Sequence, residues 1–439
     1  MPTNSNSLTV VACVDHAHVN GGQAKVAIES LIGLRRAGVR AILFAAVGPV
    51  DPRLADEGVE VVCLGQHDLL GNPSAVAGAM QGTWNGEVRH ALAKLLASCP
   101  PESTVVHVHG WAKALSPSIG VAIRESGLPA AWTIHEYFLF CPNGGFYNYR
   151  THEVCTLKPL SASCLATHCD SRTYAHKLWR AGRLIAARSL FKLPDAFSDY
   201  ICISGYQTEI VAPYIPENVA VHRVSNPIEA DDLGPKPDAA SGDLIFVGRL
   251  SPEKGAALFA EAAERAGMTP TFIGDGPFGD ELKARYPNAK FLGWLPSDQV
   301  RAHMRSARAL VFPSLWYEGQ PLTVLEAKAM GTPVVVSDIC AGREEIEDGV
   351  TGLWFKSADV GALAAALDRL KDDALVRRMS NAVYHDYWSD PPTLEAHVAR
   401  VMAIYREMLA RRNPALLAGL DERPVTFTRR QRSFAAGLF

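Results

Sequence analysis

Apolar residues in this chain come in short β-branched runs that alternate with segments of helical period. The first run, at 8–14, is followed by the turn Asn20-Gly21-Gly22 and then by 23–37, where Val26, Ile28, Leu31, Leu34 and Ala37 mark one face. Further runs lie at 39–47, 59–64, 104–109, 130–135 and 198–203, the last strand expected in this half. Around 228–243 Pro, Gly and Asp take over (Pro227, Gly234, Pro235, Pro237, Gly242), which marks a linker. The rhythm then restarts, with runs at 244–248, 271–273, 290–292, 309–312 and 334–337. Such runs separated by amphipathic helices predict parallel sheets covered on both faces.

The expected fold is α/β, with two doubly wound Rossmann-like domains facing a central cleft. The first spans 8–230 and contains a Cys-bearing insertion at 141–170 and a basic helix at 171–193. The second spans 243–385, and a tail helix at 392–412 returns to the first. Clefts at the C-terminal ends of parallel strands bind ligands. The final stretch, 424–439, carries Arg429, Arg430 and Arg432 and shows no core pattern.

Composition narrows the partners. The chain has 439 residues, 48% hydrophobic and 20% charged, with a formal net charge of −3. That is the balance of a soluble protein of more than one domain. It provides no global basic field, so no nucleic-acid partner is expected. The polar start, 1–7, lacks the features of a signal peptide. The longest apolar stretch, 39–50, is interrupted by Arg40, Gly48 and Pro49 and is too short to span a bilayer. Nine cysteines with no secretion signal point to a reducing cytoplasm rather than a disulfide framework.

Candidate chemistry concentrates in the second half. Glu318 and Glu326 bracket a loop that turns helical near Leu322. Eight helical positions span roughly 12 Å, comparable to the reach from a ribose to a diphosphate-linked hexose. The helix N-terminus between the two carboxylates suits a diphosphate. Upstream, Gly248-Arg249 and Glu253-Lys254-Gly255 put two cations after a strand, where they can neutralise a leaving group. Gly274-Asp275-Gly276 follows the next strand as a glycine turn. In Phe291-Leu-Gly-Trp-Leu-Pro296, Trp294 or Leu295 lines a base pocket, or Trp294 is a core or rim aromatic.

Together these segments resemble the retaining glycosyltransferase family 4, closely over 244–355 and more loosely over the first domain. Met330-Gly-Thr-Pro-Val-Val-Val-Ser-Asp338 and Glu347-Asp-Gly-Val-Thr-Gly-Leu353 share in the likeness. The resemblance implies the GT-B fold and transfer of a hexose, with retention, from a nucleotide-diphosphate sugar. The acceptor it implies is a glycan or a polyprenyl-diphosphate-linked sugar, as in bacterial polysaccharide assembly. By the same resemblance Arg249 and Lys254 hold the donor phosphates, Glu318 the transferred sugar and Glu326 the ribose. Backbone amides around Gln320, Leu322 and Thr323 meet the diphosphate. Gln320-Pro321 stands where many members have Phe-Gly, and Pro321 offers no N–H. Gly21 and Gly22 resemble the family's glycine loop near the reacting end of the donor. His135, at the end of Trp132-Thr-Ile-His-Glu-Tyr137, corresponds to a histidine facing the donor sugar; relatives often carry Asp where this chain has Glu136. No DxD-type metal signature is present, and Arg249 with Lys254 take its place, so no catalytic metal is expected.

Two features lie outside that pattern. Cys141, Cys155, Cys164 and Cys169 crowd one Gly- and Pro-containing segment. They either close a structural zinc site, with His152 or His168 able to replace one thiol, or are unlinked thiols; the spacings lack a CxxC knuckle. The segment 172–192 has no Asp or Glu. Tyr174, Leu178, Ala181 and Ile185 share one helical face, and Arg172, Lys177, Arg180, Arg183 and Arg188 lie mostly on the other. This is either a basic interfacial helix at the inner face of an anionic membrane or a core helix with a solvated basic face. Competing functions are a sugar-nucleotide epimerase on the same architecture and a non-catalytic nucleotide-sugar-binding scaffold. A dinucleotide dehydrogenase is disfavoured because no GxGxxG follows the first strand.

Overall fold

The computed structural model describes residues 8–413. The N-terminal lead 1–7 and the arginine-bearing stretch 424–439 lie outside the described residues. Two parallel sheets dominate. The first contains β1 (Thr9–His16), β2 (Arg40–Val47), β3 (Glu60–Cys63), β4 (Thr104–Val108) and β5 (Ala130–Thr133). After a two-stranded hairpin, β6 (Tyr147–Asn148) and β7 (Glu153–Val154), it is completed by β8 (Asp199–Cys202) and β9 (Ala220–Arg223). Its order is β3-β2-β1-β4-β5-β8-β9. The second sheet comprises β10 (Leu244–Val247), β11 (Pro270–Ile273), β12 (Lys290–Gly293), β13 (Ala309–Phe312), β14 (Val334–Ser337) and β15 (Gly352–Phe355). Its order is β12-β11-β10-β13-β14-β15.

Each sheet buries both faces, which is why its strands read as continuous apolar runs. On β1, Val11 and Cys13 join one core with Phe44, Val106 and Trp132. Ala12 and Val14 point the other way, toward Ile28 and Leu31 of the helix Gly22–Arg36. The second sheet repeats this: Phe246 and Phe272 face one core, while Ile245 and Ile273 face the other.

Besides the short hairpin strands β6 and β7, two strands of the large sheets escaped the sequence reading. β9, not β8, ends the first half, and its burial alternates because it is an edge strand with half its side chains in solvent. β15 is also an edge, and its Trp354 side chain is exposed.

The helix Leu394–Arg412 packs on the first sheet, with Val398, Val401 and Tyr405 in a core shared with Val10, Val105 and Ala131. Its polar atoms are also matched to that domain. Tyr405 Oη is 2.6 Å from His107 Nδ1, and His397 Nε2 is 2.8 Å from Ser30 Oγ. Arg411 pairs with the buried Asp199. The outgoing and returning connections touch where Ile228 N–H donates to Pro392 O at 2.8 Å.

Candidate active site

The site forms where the C-terminal ends of the two sheets face each other. On the second domain, β10 runs out at Gly248, and the turn Pro252–Lys254 follows. Gly255 has φ +72°, and a Cβ there would fall 1.9 Å from Pro313 O, so only glycine lets this loop lie against the end of β13. A Cβ on Gly276 would meet Leu250 O at 2.2 Å, so the loop after β11 likewise presses on the loop after β10.

This packing aims Lys254 at Glu318. Nζ donates to Glu318 Oε1 at 2.6 Å; Ser314 Oγ donates to the same oxygen at 2.7 Å and Trp316 Nε1 at 2.8 Å. All three bonds fall on Oε1, so the carboxylate is fixed in place, and a buried charge with these partners is satisfied. Lys254 Nζ also lies 5.5 Å from the Trp316 ring centre. Arg249 stands exposed beside this cluster.

The helix Leu322–Ala329 begins at Pro321, which provides no side-chain cap. The first-turn amides of Leu322 and Thr323 therefore lie at an uncapped positive end. Gln320 works differently from its neighbours. Its Oε1 accepts from Asn226 N at 2.8 Å and its Nε2 donates to Glu345 at 3.3 Å, so the side chain ties the linker to the second domain. Its backbone is what remains for a ligand. Glu326 sits one turn into the helix, 3.8 Å from Lys25 Nζ of the first domain. Trp294 is 73% exposed, its backbone N–H held by Asp275 Oδ2 at 3.0 Å. Leu295 instead packs against the second-domain core, which leaves Trp294 as the free aromatic of the pair.

On the first domain, Gly21 has φ +158°, and Gly22 opens the helix Gly22–Arg36. A Cβ on Gly22 would sit 3.6 Å from Leu322 Cδ1, so the glycine loop and the donor-side helix already touch. His135 follows β5; its Nε2 lies 3.2 Å from His109 Nδ1, with the rings stacked at 5.5 Å. Behind them, His107 Nε2 bonds Thr133 Oγ1 at 2.7 Å. Burial, then the charge of His397, pulls His135 down to about 3, so the imidazole is neutral at physiological pH. Its neighbour Glu136 is pushed up to about 7 by burial and the charge of Asp15, against the pull of Lys113 and Arg183.

Lys25, Ser314, Trp316 and His109 were not singled out from sequence. Ser314 and Trp316 stand within four residues of Glu318, and that proximity was the available signal. Lys25 is three residues past Gly22. The contact of His109 with His135 is a product of strand order and has no signature in sequence.

The four cysteines gather, but around a lysine. Lys177 is 1% exposed, and its Nζ donates to Cys169 Sγ at 3.0 Å and Cys164 Sγ at 3.5 Å. Asn143 Nδ2 reaches Cys169 Sγ at 3.3 Å. Burial would lower the Lys177 ammonium, but the hydrogen bond to Cys169 and the charges of Cys169, Cys164 and Cys141 hold it above the usual lysine range. No group of three or more His, Cys, Asp or Glu side chains among the described residues is arranged to hold a metal ion. In this arrangement the Lys177 ammonium is the cation that faces Cys164 and Cys169, with Cys141 close enough for its charge to act on it. The insertion also leans on the donor side: a Cβ on Gly145 would be 3.2 Å from the Trp316 ring.

The helix Tyr174–Ile185 buries a mixed stripe of Lys177, Ala181, Arg183 and Leu184. Lys177 and Arg183 point inward, while Tyr174, Leu178 and Ile185 are exposed. Dedicated partners draw the cations in: sulfurs for Lys177, and for Arg183 the Ala112 carbonyl at 2.7 Å and the Trp111 ring at 5.2 Å.

Residues 241–373 match the family described as glycosyl transferases group 1. A glycogen synthase from Mycobacterium tuberculosis is 32% identical over 233 residues, which is 49% of this chain and 56% of that protein. An Escherichia coli UDP-Gal:alpha-D-GlcNAc-diphosphoundecaprenol alpha-1,3-galactosyltransferase is 31% identical over 198 residues, 41% and 50% of the two chains. The chain therefore spans about half the length of the curated relatives it matches. Among solved structures, sucrose-phosphate synthase from Thermosynechococcus elongatus aligns with a TM-score of 0.64 at 18% identity, over 92% of this chain and all of that one. Anabaena Alr3699/HepE in complex with UDP aligns at 0.62 and 15% identity, over 91% and 100%. Residues 241–373 thus carry the likeness to the glycosyl transferases group 1, and the two facing sheets share the GT-B fold of these solved structures.

Proposed function

We propose that this chain is a retaining glycosyltransferase that moves a hexose from a nucleotide-diphosphate sugar to a glycan or polyprenyl-diphosphate-linked acceptor. The observation that carries this reading is the Lys254–Glu318 pair beside the uncapped start of the helix Leu322–Ala329, with Glu326 one turn on. Arg249, Lys254 and the Leu322 and Thr323 amides neutralise the diphosphate as it leaves. Glu318, fixed by three donors on one oxygen, takes hydroxyls of the sugar, and Glu326 takes the ribose. Neutral His135 hydrogen-bonds the sugar or acceptor from the opposite wall. The departing phosphate receives the acceptor proton on the same face, so positioning and charge stabilisation supply the catalysis, and two cations serve in place of a catalytic metal.

The acceptor side favours a lipid-borne substrate met at the inner face of an anionic membrane. No helix among the described residues is long and apolar enough to cross a membrane. A surface contact is another matter. Tyr174, Leu178, Ile185 and Leu190 (71% exposed) form an outward apolar row, with Arg172, Arg188 and Lys192 also exposed on this segment. The row continues through Phe191, whose ring is 4.8 Å from Trp84, to exposed Val76 and Met80. The E. coli relative is named for a diphosphoundecaprenol-linked acceptor, which agrees with such a face. Flotation should show the protein on phosphatidylglycerol vesicles and not on phosphatidylcholine, and Leu178→Glu should release it; equal recovery from both lipids removes the membrane component.

Thermal stabilisation by UDP, GDP and ADP tests the donor site, since a ligand that binds only the folded state raises Tm. A selective shift identifies the base. No shift at millimolar ligand favours the non-catalytic scaffold.

A further inference from the structure

Beneath His135 the first domain holds buried polar atoms that the donor contacts do not account for. Glu136 Oε1 is buried with no hydrogen-bond partner, and so is Arg183 Nε. Arg183 uses Nη2 on the Ala112 carbonyl at 2.7 Å and lies over Trp111 at 5.2 Å and Trp179 at 5.6 Å. Its guanidinium is therefore held rigidly while one N–H stays unspent. The Trp111 indole N–H has no partner either. Buried polar groups in folded proteins are almost always paired, so unpartnered atoms on two side chains whose charges act on each other point to a missing ligand.

The other groups around Glu136 are already committed or lie at the mouth of the site. Asp15, after β1, accepts from the backbone N–H groups of Lys113 at 3.1 Å, Ala114 at 2.8 Å and Leu115 at 2.9 Å. That carboxylate therefore braces the loop after β4. The Lys113 side chain is exposed. His135 is engaged by His109. The charges of Asp15, Lys113 and Arg183 all act on Glu136. Glu136 thus keeps one buried oxygen unclaimed and feels the charge of the fixed Arg183 guanidinium.

We infer that Glu136 and Arg183 receive the acceptor, a molecule with neighbouring hydroxyl oxygens: Glu136 Oε1 accepts the hydrogen bond of the attacking hydroxyl, and Arg183 Nε donates to an adjacent oxygen. This rests on the donor assignment above. Glu136 orients the hydroxyl and does not replace the leaving phosphate as the proton's destination. Two contacts on adjacent oxygens fix both the position and the direction of the nucleophile, which is where most of an orientation effect originates.

The test uses the full chain, water as the smallest acceptor, and the nucleotide sugar whose diphosphate gives the largest thermal shift. Release of nucleoside diphosphate is followed over pH 5–9. Glu136→Gln, which keeps the shape, should slow release by roughly a hundredfold with nucleotide affinity unchanged. In the unmodified protein the rate should rise as pH passes through about 7, where Glu136 ionises, and that rise should vanish in the variant. Arg183→Met should move the midpoint upward, because the guanidinium holds the carboxyl down. Equal rates in Glu136→Gln and the unmodified protein, equal background rates included, overturn the assignment, as does a parallel loss of nucleotide binding. If the unmodified protein binds no nucleotide at all, the donor reading fails first and carries this inference with it.

Discussion

Lys25 of the first domain and Glu326 of the second face each other across the cleft, Nζ to Oε1 at 3.8 Å. Both side chains are partly exposed, and a pair of this kind contributes about 0–1 kcal/mol. It is therefore a contact a ligand can displace. Glu326→Ala should weaken nucleoside-diphosphate binding by about 1.5–3 kcal/mol, the cost of losing a charged acceptor. Lys25→Met should change it by less than about threefold, within the range of a surface pair. Calorimetric titration of both variants decides; equal losses would move the ribose contact from Glu326 to the pair as a unit.

In the proposed mechanism Glu318 holds the sugar end of the donor. Glu318→Ala should reduce transfer by about a hundredfold or more while leaving nucleoside-diphosphate affinity nearly intact. It also strands Lys254, Ser314 and Trp316, all of which bond one oxygen of Glu318. Some loss of Tm is expected with it, so affinity and turnover should be measured below the unfolding transition. A loss of nucleotide affinity matching the loss of turnover would place Glu318 on the phosphates instead.

Stability should fall in mild acid. Burial lowers His107 and His135 to about 3 and His397 to about 4, from an ordinary value of 6.5. The unfolded chain binds these protons below pH 6.5 and the folded chain does not. Their contribution is therefore complete above pH 6.5 and is lost as pH falls toward 4, on the order of 1 kcal/mol per group per pH unit. Urea midpoints at pH 7.5 and pH 5 check this. A pH-independent midpoint would mean that the histidines are solvated.

The cysteine insertion predicts thiol chemistry without zinc. With Lys177 supplying the positive charge beside Cys164 and Cys169, purified protein should contain less than about a tenth of an equivalent of zinc by elemental analysis. A full equivalent would show that the four sulfurs rearrange and expel the ammonium.

Much of the fold could be read from local pattern, because strands buried on both faces are unbroken apolar runs. The runs at 309–312 and 334–337 coincide with β13 and β14. Two of the four edge strands, β9 and β15, were not read this way, and each leaves part of its surface in solvent. At the site, residues linked by a short stretch of chain, Glu318 with Glu326 and Arg249 with Lys254, could be picked out from spacing, whereas the bond between Lys254 and Glu318 could not. Contacts made by strand order, such as His109 with His135, could not. The helix Tyr174–Ile185 shows the limit of amphipathic reasoning. A charged face is assumed to seek water, yet Lys177 and Arg183 find sulfurs, a carbonyl and a tryptophan inside, and the apolar row is left outside.

The touch between Ile228 and Pro392 has a mechanical consequence. The second domain is attached to the first by two strands of chain lying side by side, like a door hung on paired pins. A single tether would permit twisting about its own length. Two adjacent tethers suppress that twist and leave one easy swing, which opens and shuts the face carrying Glu326 against the face carrying Lys25. With Gln320 bonded to Asn226 at the root of one pin, a residue in the donor loop is wired to the hinge, so a nucleotide that reshapes this loop also pulls on the door.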